Sequence, residues 1–307
     1  MDILNLFNDI QTADPEFADR ISPRRAAIKN ITSFGSKVAV AALPFAFGTL
    51  FKKAYGQTAT SSVNDVLNFA LTAELIEATF YNTAVARATA GTLAIPTADL
   101  NAIKLIQADE NNHVTFLRGV LTAANENAAN KARSTAALPV GTTFSASYDF
   151  SGNAKGTVPG GGPFSAVFSN YDIFLAVSQA FEDTGVRAYK GQAGFLKGNQ
   201  VVLTAALNIH SVEARHAAYI RRLRATRAGA PANFRSWVTG DATTASGITV
   251  TAAATAATNP IYAGEANVTQ AGVNLTSIAG QKAATEAFDE PLSIATVLAL
   301  IDPFVKP

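Results

Sequence analysis

A chain of 307 residues with 48% apolar and only 15% charged residues carries enough apolar surface for a packed core, in one large domain or two small ones. The 24 Lys and Arg and the 23 Asp and Glu leave a net charge of +1, so no overall field favours binding to nucleic acid. The absence of cysteine excludes disulfides, thiolate metal sites, iron–sulfur clusters and cysteine nucleophiles, so any metal must be held by nitrogen and oxygen ligands.

The N-terminal segment, residues 1–56, has the pattern of an export signal. Within "SPRRAAIK" at 22–29, Arg24 and Arg25 precede the apolar run "VAVAALPFAFGTLF" at 38–51, and small residues typical of a cleavage site follow. The segment resembles a twin-arginine signal, which implies a periplasmic or secreted protein. The alternative is a cytoplasmic protein that keeps an uncleaved amphipathic segment. Because the apolar run is shorter than the about 20 residues that span a bilayer, we expect no transmembrane anchor in the mature form.

Four amphipathic helices are predicted after this segment, in two pairs. Ser62 and Asp65 stand in capping positions at the start of the first helix, and Gly91 ends it. The other three helices are predicted at about 97–131, 170–195 and 200–227.

A long connection at 137–169 separates the two helix pairs. It is rich in Gly, Ser and alternating aromatic residues, a composition that is compatible with a short hairpin. The order helix, helix, crossover, helix, helix predicts an all-α four-helix bundle at 57–228. We expect the C-terminal extension, 229–307, to pack on the bundle, with a strand in "GITVTAAATAA" and a short closing helix starting at Pro291.

Each predicted helix carries a glutamate within its apolar stripe. The first and third helices have one such glutamate, whereas the second and fourth have a glutamate and a histidine three residues apart, flanked by Ile and Leu at steps of three and four. The six residues are Glu74, Glu110, His113, Glu182, Glu213 and His216.

These six side chains can converge at the centre of the bundle. Burying even one unpaired charge costs several kcal/mol, so four carboxylates in a dry core need cations to neutralise them. Two divalent ions would do so, and a mixture of carboxylate and imidazole ligands suits iron or manganese. We therefore expect two divalent transition metals, Fe or Mn, as cofactors.

The chain resembles a known family over residues from about 63 to 227. "VLNFALTAELIEATFY" and "FLAVSQAFEDTGVRAYKGQ", together with the two Glu-x-x-His motifs, are similar to ferritin-like domains of the bacterioferritin, rubrerythrin and manganese-catalase superfamily. They resemble most closely the exported bacterial ferritin-like proteins related to plant desiccation-associated proteins. The resemblance implies that Glu74 and Glu182 are terminal ligands, that Glu110 and Glu213 bridge the two metals, and that the histidines supply nitrogen ligands.

Alternatives remain open around this set. Glu77 is a rival ligand in the first helix because its stripe is equally apolar, and Glu74 is preferred because Tyr81 follows it at the spacing that the family shows. Tyr81 and Tyr189 are expected to pack near the site with hydroxyl partners, and either one, like Glu77, is a candidate for a supporting role beside the ligands. His210 is expected to be a core or surface histidine outside the site.

Charged residues next to the ligands in sequence are expected on solvated helix faces. These residues are Asp109 and Asp183, whereas Arg221, Arg222 and Arg224 are expected to form a solvated or salt-bridging face.

Two functions fit the resemblance. One is an oxidoreductase in which a dinuclear Fe or Mn centre acts on dioxygen or peroxide outside the cytoplasm. The other is a non-enzymatic metal-binding protein, or a structural protein that protects during desiccation. The sequence leaves open whether the chain forms a homo-oligomer.

Overall fold

A computed structural model describes residues 61–158, 161–228, 235–238 and 260–306. The predicted export signal at 1–56 and the predicted strand in "GITVTAAATAA" lie outside the described residues. In the part that is described, no helix combines the length and the apolar composition that a bilayer crossing requires.

Four long helices form the bundle, and the predicted all-α fold with one long crossover is confirmed. Helix α1 packs mainly on α2, and after the crossover α4 packs mainly on α5; the short helix α3 follows α2. Their bounds are α1 Val63–Thr89, α2 Thr97–Asn125, α3 Ala128–Ala132, α4 Tyr171–Gln192 and α5 Gln200–Ala225.

The helices begin where side chains can accept bonds from free backbone N–H groups. The backbone N–H of Asp65 donates to Ser62 Oγ at 3.1 Å, and the Ser62 N–H donates to Asp65 Oδ2 at 2.9 Å, which is the predicted capping box. Asn170 caps α4, and Asn199 caps α5 through a bond from the N–H of Val202 at 3.1 Å. Local side-chain chemistry therefore determines these three starts.

The predicted end of the second helix is wrong. Instead of continuing to about residue 131, α2 ends at Asn125 after Thr122 adopts φ 58°, and a new helix starts behind Asn127. The Asn127 N–H donates to Asn68 Oδ1 on α1 at 2.8 Å, while its side chain accepts the N–H of Asn130. A contact with α1 thus turns the chain where the helical pattern alone would continue.

The third helix also ends earlier than predicted. Regular α-helix stops at Gln192, and a 3-10 turn at Ala193–Leu196 continues to the break before α5.

The crossover contributes rings to the core although it has little regular structure. In the described part of the crossover, an antiparallel bridge joins Phe144 and Asp149, where a short hairpin was expected, and another joins Tyr148 to Val305 near the C-terminus. Phe150 and Val167 are fully buried. The crossover therefore covers one end of the bundle.

The described C-terminal residues pack along the bundle. They contain a two-stranded antiparallel sheet and short helices, with bounds β1 Thr269–Gln270, β2 Val273–Asn274, α6 Thr276–Ala279, α7 Gln281–Glu286 and α8 Ile294–Ile301, beside 3-10 turns at Pro260–Tyr262 and Asp302–Phe304.

The closing helix α8 begins at Ile294 rather than at Pro291. Ser293 caps it, because its Oγ accepts a hydrogen bond from the N–H of Thr296 at 3.1 Å. The first residue of α8 is therefore set by this cap and not by Pro291. The backbone before α8 presses on α4, because a Cβ at Gly191 would lie 1.9 Å from the carbonyl oxygen of Leu292. Only glycine permits this approach.

Two apolar clusters fill the two ends of the bundle. At the aromatic end, the Phe80 ring lies with its centroid 5.2 to 5.5 Å from five other rings, those of Tyr81, Phe150, Phe168, Phe174 and Phe181. At the aliphatic end, branched side chains from the start of α1, the end of α2 and the start of α5 pack together, among them Leu67, Leu71, Leu117, Leu121 and Ile209. A polar layer lies between the two clusters.

Candidate metal centre

The polar layer is formed by the six side chains singled out in the sequence. Each comes from the middle of a long helix, so its position is set by backbone that is hydrogen-bonded on both sides. The four glutamates are 0% exposed, and His113 and His216 are 8% and 6% exposed. The structure thus brings all six predicted residues to one buried place.

The six residues form two overlapping groups. Glu74, Glu110, His113 and Glu213 make one group, and Glu110, Glu182, Glu213 and His216 make the other; within each, ligand atoms lie within 4.8 Å of one another. Glu110 and Glu213 belong to both groups. Because both groups contain them, these two carboxylates could contact two cations at once.

The distances show how the first group is built. Nδ1 of His113 lies 3.2 Å from Oε2 of Glu74, 3.3 Å from Oε2 of Glu110 and 3.2 Å from Oε1 of Glu213. Three carboxylates from three helices therefore meet at one imidazole nitrogen.

The second group repeats the pattern with the other oxygens of the shared glutamates. Nδ1 of His216 lies 2.9 Å from Oε1 of Glu110, 3.3 Å from Oε2 of Glu182 and 3.9 Å from Oε2 of Glu213. Glu110 and Glu213 each turn one oxygen toward each histidine.

Several of these atoms are buried and lie close to one another without the geometry of a hydrogen bond. Among the described residues this holds for Oε1 of Glu110, Oε2 of Glu182, both carboxylate oxygens of Glu213 and Nδ1 of His216. Buried polar atoms without partners are costly, and converging lone pairs suit a cation better than they suit one another. This set of oxygen and nitrogen donors is chemically suited to divalent cations, iron and manganese among them.

Burial and mutual repulsion shift the pKa values of the carboxyls. Burial, with the charge of Glu74, raises the pKa of Glu110 to about 7 against the opposing effect of the histidines. Burial and the charges of Glu110 and Glu74 raise the pKa of Glu213 well above its usual value. For Glu74, burial acts upward, but the hydrogen bond and charge of His113 outweigh it, so its pKa is lowered.

For the two histidines, burial and the neighbouring charges act on the pKa in opposite directions. Burial alone would lower the pKa of each, but the surrounding carboxylates outweigh it; they raise the pKa of His113 far above its usual value and that of His216 to about 12. A cation bound at these nitrogens would have to replace their protons, so metal binding here would release protons.

Two tyrosines hydrogen-bond to Glu74 and Glu182 at the edge of the polar layer. The hydroxyl of Tyr81 on α1 donates to Oε1 of Glu182 on α4, and the hydroxyl of Tyr189 on α4 donates to Oε1 of Glu74 on α1 at 2.5 Å. Burial and the adjacent carboxylates raise the pKa of both tyrosines, so both stay protonated donors. Each tyrosine holds one oxygen of a terminal glutamate and leaves the other facing the centre. The expected hydroxyl partners are thereby identified.

Asp109 supports one histidine, a contact that sequence reasoning missed. It was expected on a solvated face, and its side chain is 49% exposed, but Oδ2 lies 3.2 Å from Nε2 of His216. A carboxylate on the outer nitrogen orients the ring so that Nδ1 faces the centre. The signal in the sequence was an aspartate directly before Glu110. In the other Glu-x-x-His motif the residue directly before the glutamate is Val212, which has no carboxylate that could contact His113.

Glu77 lies beside the centre but outside both groups. It is 3% exposed and lies next to Gly185 on α4. Its Oε1 and the Oε2 of Glu213 both approach this glycine, each 3.4 Å from the position of a Cβ that a larger residue would place there. Burial, with the charge of Glu213 next, raises the pKa of Glu77 well above its usual value. The geometry therefore favours Glu74 over Glu77 as a ligand. His210 also lies outside both groups.

The predicted solvated position of Asp183 is wrong, and Arg221, expected on a solvated or salt-bridging face, does form a salt bridge but in a buried position. Both are buried and paired with each other, and the Tyr262 hydroxyl donates to Asp183 Oδ2 at 2.5 Å. Beside them, Nε of Arg187 lies 2.8 Å from Oε1 of Glu265. The C-terminal extension covers this outer side of α4 and α5, which the helical periodicity could not reveal.

Comparison with known proteins gives one result. The family model described as a ferritin-like domain matches residues 62–226, which is more than half of the chain. Comparisons with curated proteins and with solved structures gave no match.

Proposed function

Because the chain belongs to the ferritin-like domain family, we propose that it binds two iron or manganese ions at the six converging side chains and acts on dioxygen or peroxide. The observation that carries this proposal is the sharing of Glu110 and Glu213 by the two groups, with one oxygen of each turned to each histidine.

The charges of the donor set support two ions rather than one. Four ionised carboxylates carry four negative charges, which two divalent cations offset while both imidazoles are neutral ligands. In this arrangement Glu74 and His113 would hold one ion, Glu182 and His216 would hold the other, and the shared glutamates would be available to both. The bound metals would supply the electron exchange with the oxidant and polarise it.

The other residues prepare the site for that chemistry. Tyr81 and Tyr189 fix the terminal carboxylates, and Asp109 orients His216. The apolar clusters on both sides exclude bulk water, which strengthens every electrostatic interaction within the layer. The protein thus supplies a buried, carboxylate-rich pocket whose side chains are held in place. During the reaction we expect the charge of the metals to change while the positions of these side chains change little.

Metal analysis tests the first part of the proposal. We expect the purified full chain, reconstituted with Fe(II) or Mn(II) and washed, to retain about two ions per chain, as the six-ligand set predicts. Retention of no metal after reconstitution would refute the proposal.

Peroxide turnover tests the second part. We expect the metal-loaded chain to consume peroxide with evolution of oxygen, and Glu110→Ala and His216→Ala to abolish it, because both residues belong to the metal groups. Metal binding without turnover of peroxide or dioxygen would instead indicate the alternative, a non-enzymatic metal-binding or desiccation-protective protein.

We also propose export by the twin-arginine route. Arg24 and Arg25 before an apolar run support this route, and it carries folded cargo, which suits a protein that takes up metal before leaving the cytoplasm. Cell fractionation should find the chain outside the cytoplasm, and replacing both arginines by lysine should retain it inside. Natural chain found only in the cytoplasm would contradict the proposal.

A further inference from the structure

A buried polar bridge joins α4, α5 and the C-terminal extension beside the metal centre. Asp183 on α4 forms an ion pair with Arg221 on α5. Tyr262 of the extension completes the bridge, because its hydroxyl donates to Oδ2 of Asp183 at 2.5 Å. All three side chains are at most 4% exposed, and all three residues lie outside both metal groups. The bridge therefore needs an explanation other than metal ligation.

A second contact extends the bridge along the same two helices. Nη1 of Arg224 on α5 donates to Oε1 of Gln179 on α4 at 2.6 Å, and Nε2 of this glutamine donates to the Tyr262 hydroxyl at 2.8 Å. The tyrosine hydroxyl thus accepts one hydrogen bond from α4 and donates another to it. Because the hydroxyl is buried, these bonds are stronger than they would be in water.

The bridge lies next to two residues of one metal group. Asp183 directly follows Glu182, and Arg221 comes five residues after His216, which is about 7.5 Å along the axis of α5. Successive helix residues are about 100° apart around the axis, so Asp183 faces a different side from Glu182. On the inner side, Oε2 of Glu182 lies 3.3 Å from Nδ1 of His216. The two helices are therefore joined on one side by predicted ligands and on another by the bridge.

The two metal groups depend on α4 to different degrees. The group of His216 takes Glu182 from α4, whereas the group of His113 takes its four members from α1, α2 and α5. Tyr189 of α4 does bond to Glu74 in the second of these groups, but it lies six residues beyond the bridge, about 9 Å along the helix. A shift of α4 against α5 at the bridge would therefore act mainly on the group of His216.

We propose that the bridge positions the ligands of the ion beside His216, so that the C-terminal extension sets the affinity of one ion and not of the other. Its three members, Tyr262, Asp183 and Arg221, are positioning residues. They hold α4 and α5 at the separation at which Glu182 and His216 meet. This inference rests on the proposed metal binding and goes beyond it, because it makes the two ions depend differently on the extension.

Chains that hold a single ion separate the two affinities. In Glu74→Gln the group of His216 is left complete, and in Glu182→Gln the group of His113 is left complete. Competition between each full-length chain and a chelator gives the affinity for Mn(II). The electron paramagnetic resonance spectrum of the bound Mn(II) reports the arrangement of its ligands.

The main probe is Tyr262→Phe, which removes the hydroxyl and keeps the ring. In the Glu74→Gln chain it should weaken Mn(II) binding by about tenfold and change the spectrum, since outer partners of metal ligands are worth about 10- to 100-fold in affinity. In the Glu182→Gln chain it should change neither. In the otherwise natural chain it should weaken one of the two ions only.

Tyr148→Phe is the matched control. Tyr148 is also buried, at 1% exposure, but its hydroxyl has no hydrogen-bond partner among the described residues. Removing this hydroxyl should leave the affinity and the spectrum of both ions unchanged.

The arginine of the bridge gives an independent probe. Arg221→Gln removes the charge that pairs with Asp183 and should weaken the ion beside His216, whereas Arg221→Lys keeps a charge and should restore part of the affinity. Circular dichroism and thermal unfolding report whether each variant is folded. Because breaking a buried ion pair can unfold a chain, Tyr262→Phe remains the deciding variant.

Two results overturn the proposal while metal binding itself stands. One is an unchanged affinity and spectrum of the ion beside His216 in a folded Tyr262→Phe chain. The other is equal weakening of both ions, which would indicate a general loss of stability. Failure of the natural chain to bind any Mn(II) or Fe(II) would instead refute the proposed function, and this inference with it.

Discussion

The overlap of the two groups predicts different metal contents for different glutamate variants. Glu74 belongs to one group and Glu110 to both, so Glu74→Gln removes a charged ligand from one ion and Glu110→Gln removes one from each. Glutamine keeps the volume of the side chain, so packing changes little. Glu77→Gln is the matched control, because Glu77 is also buried on α1 but lies outside both groups.

The expected size of the effect follows from the number of protein ligands. Each ion has four candidate protein ligands, and losing one should lower its affinity by about 100-fold or more, since even outer-shell partners are worth 10- to 100-fold. A factor of 100 corresponds to about 2.8 kcal/mol of binding free energy. Under a wash that retains two ions in the natural chain, we expect about one ion in Glu74→Gln, about none in Glu110→Gln and about two in Glu77→Gln.

Elemental analysis of the washed proteins, with circular dichroism as a check on folding, measures these contents. Equal loss of metal in Glu74→Gln and Glu110→Gln would refute the shared-ligand geometry. Loss of an ion in Glu77→Gln together with full retention in Glu74→Gln would show that the rival glutamate is the ligand.

Three further predictions concern other parts of the chain. Burial raises the pKa of Glu265 to about 7, so the folded chain holds this proton more tightly than the unfolded chain does. The free energy of unfolding should therefore fall by up to about 3 kcal/mol as the pH rises from about 4.5 to 7. Denaturant titrations should show this fall, and Glu265→Gln should reduce it. Asp109→Ala should lower the affinity of the ion beside His216 by about 10-fold or more in chelator competition and leave the other ion unchanged; equal weakening of both ions would contradict the orienting role. Gly191→Ala should destabilise the chain by about 1–3 kcal/mol, measured by thermal unfolding, because the added Cβ would meet the Leu292 carbonyl, and an unchanged midpoint would refute that close contact.

The sequence predicted the helices and the meeting of the six side chains because both depend on local spacing. A residue in the apolar stripe of a helix must face the interior, and a stripe that includes Glu110 and His113 therefore carries them inward wherever the helix packs. Starts such as that of α1 were equally predictable, since Ser62 and Asp65 bond to each other within the first turn of the same helix. The ligand role of the six remains a prediction that metal analysis must test.

The tertiary structure alone decided what lies on the outer sides of the helices. Asp183 and Arg221 fall outside the inward stripes, and they are buried where they pair with each other and Tyr262 of the C-terminal extension contacts them. The early end of α2 and the contact of Asp109 with His216 likewise depend on which other segment lies opposite. Helical periodicity describes one helix at a time, whereas burial of an outer face is a property of two segments that are distant in the chain.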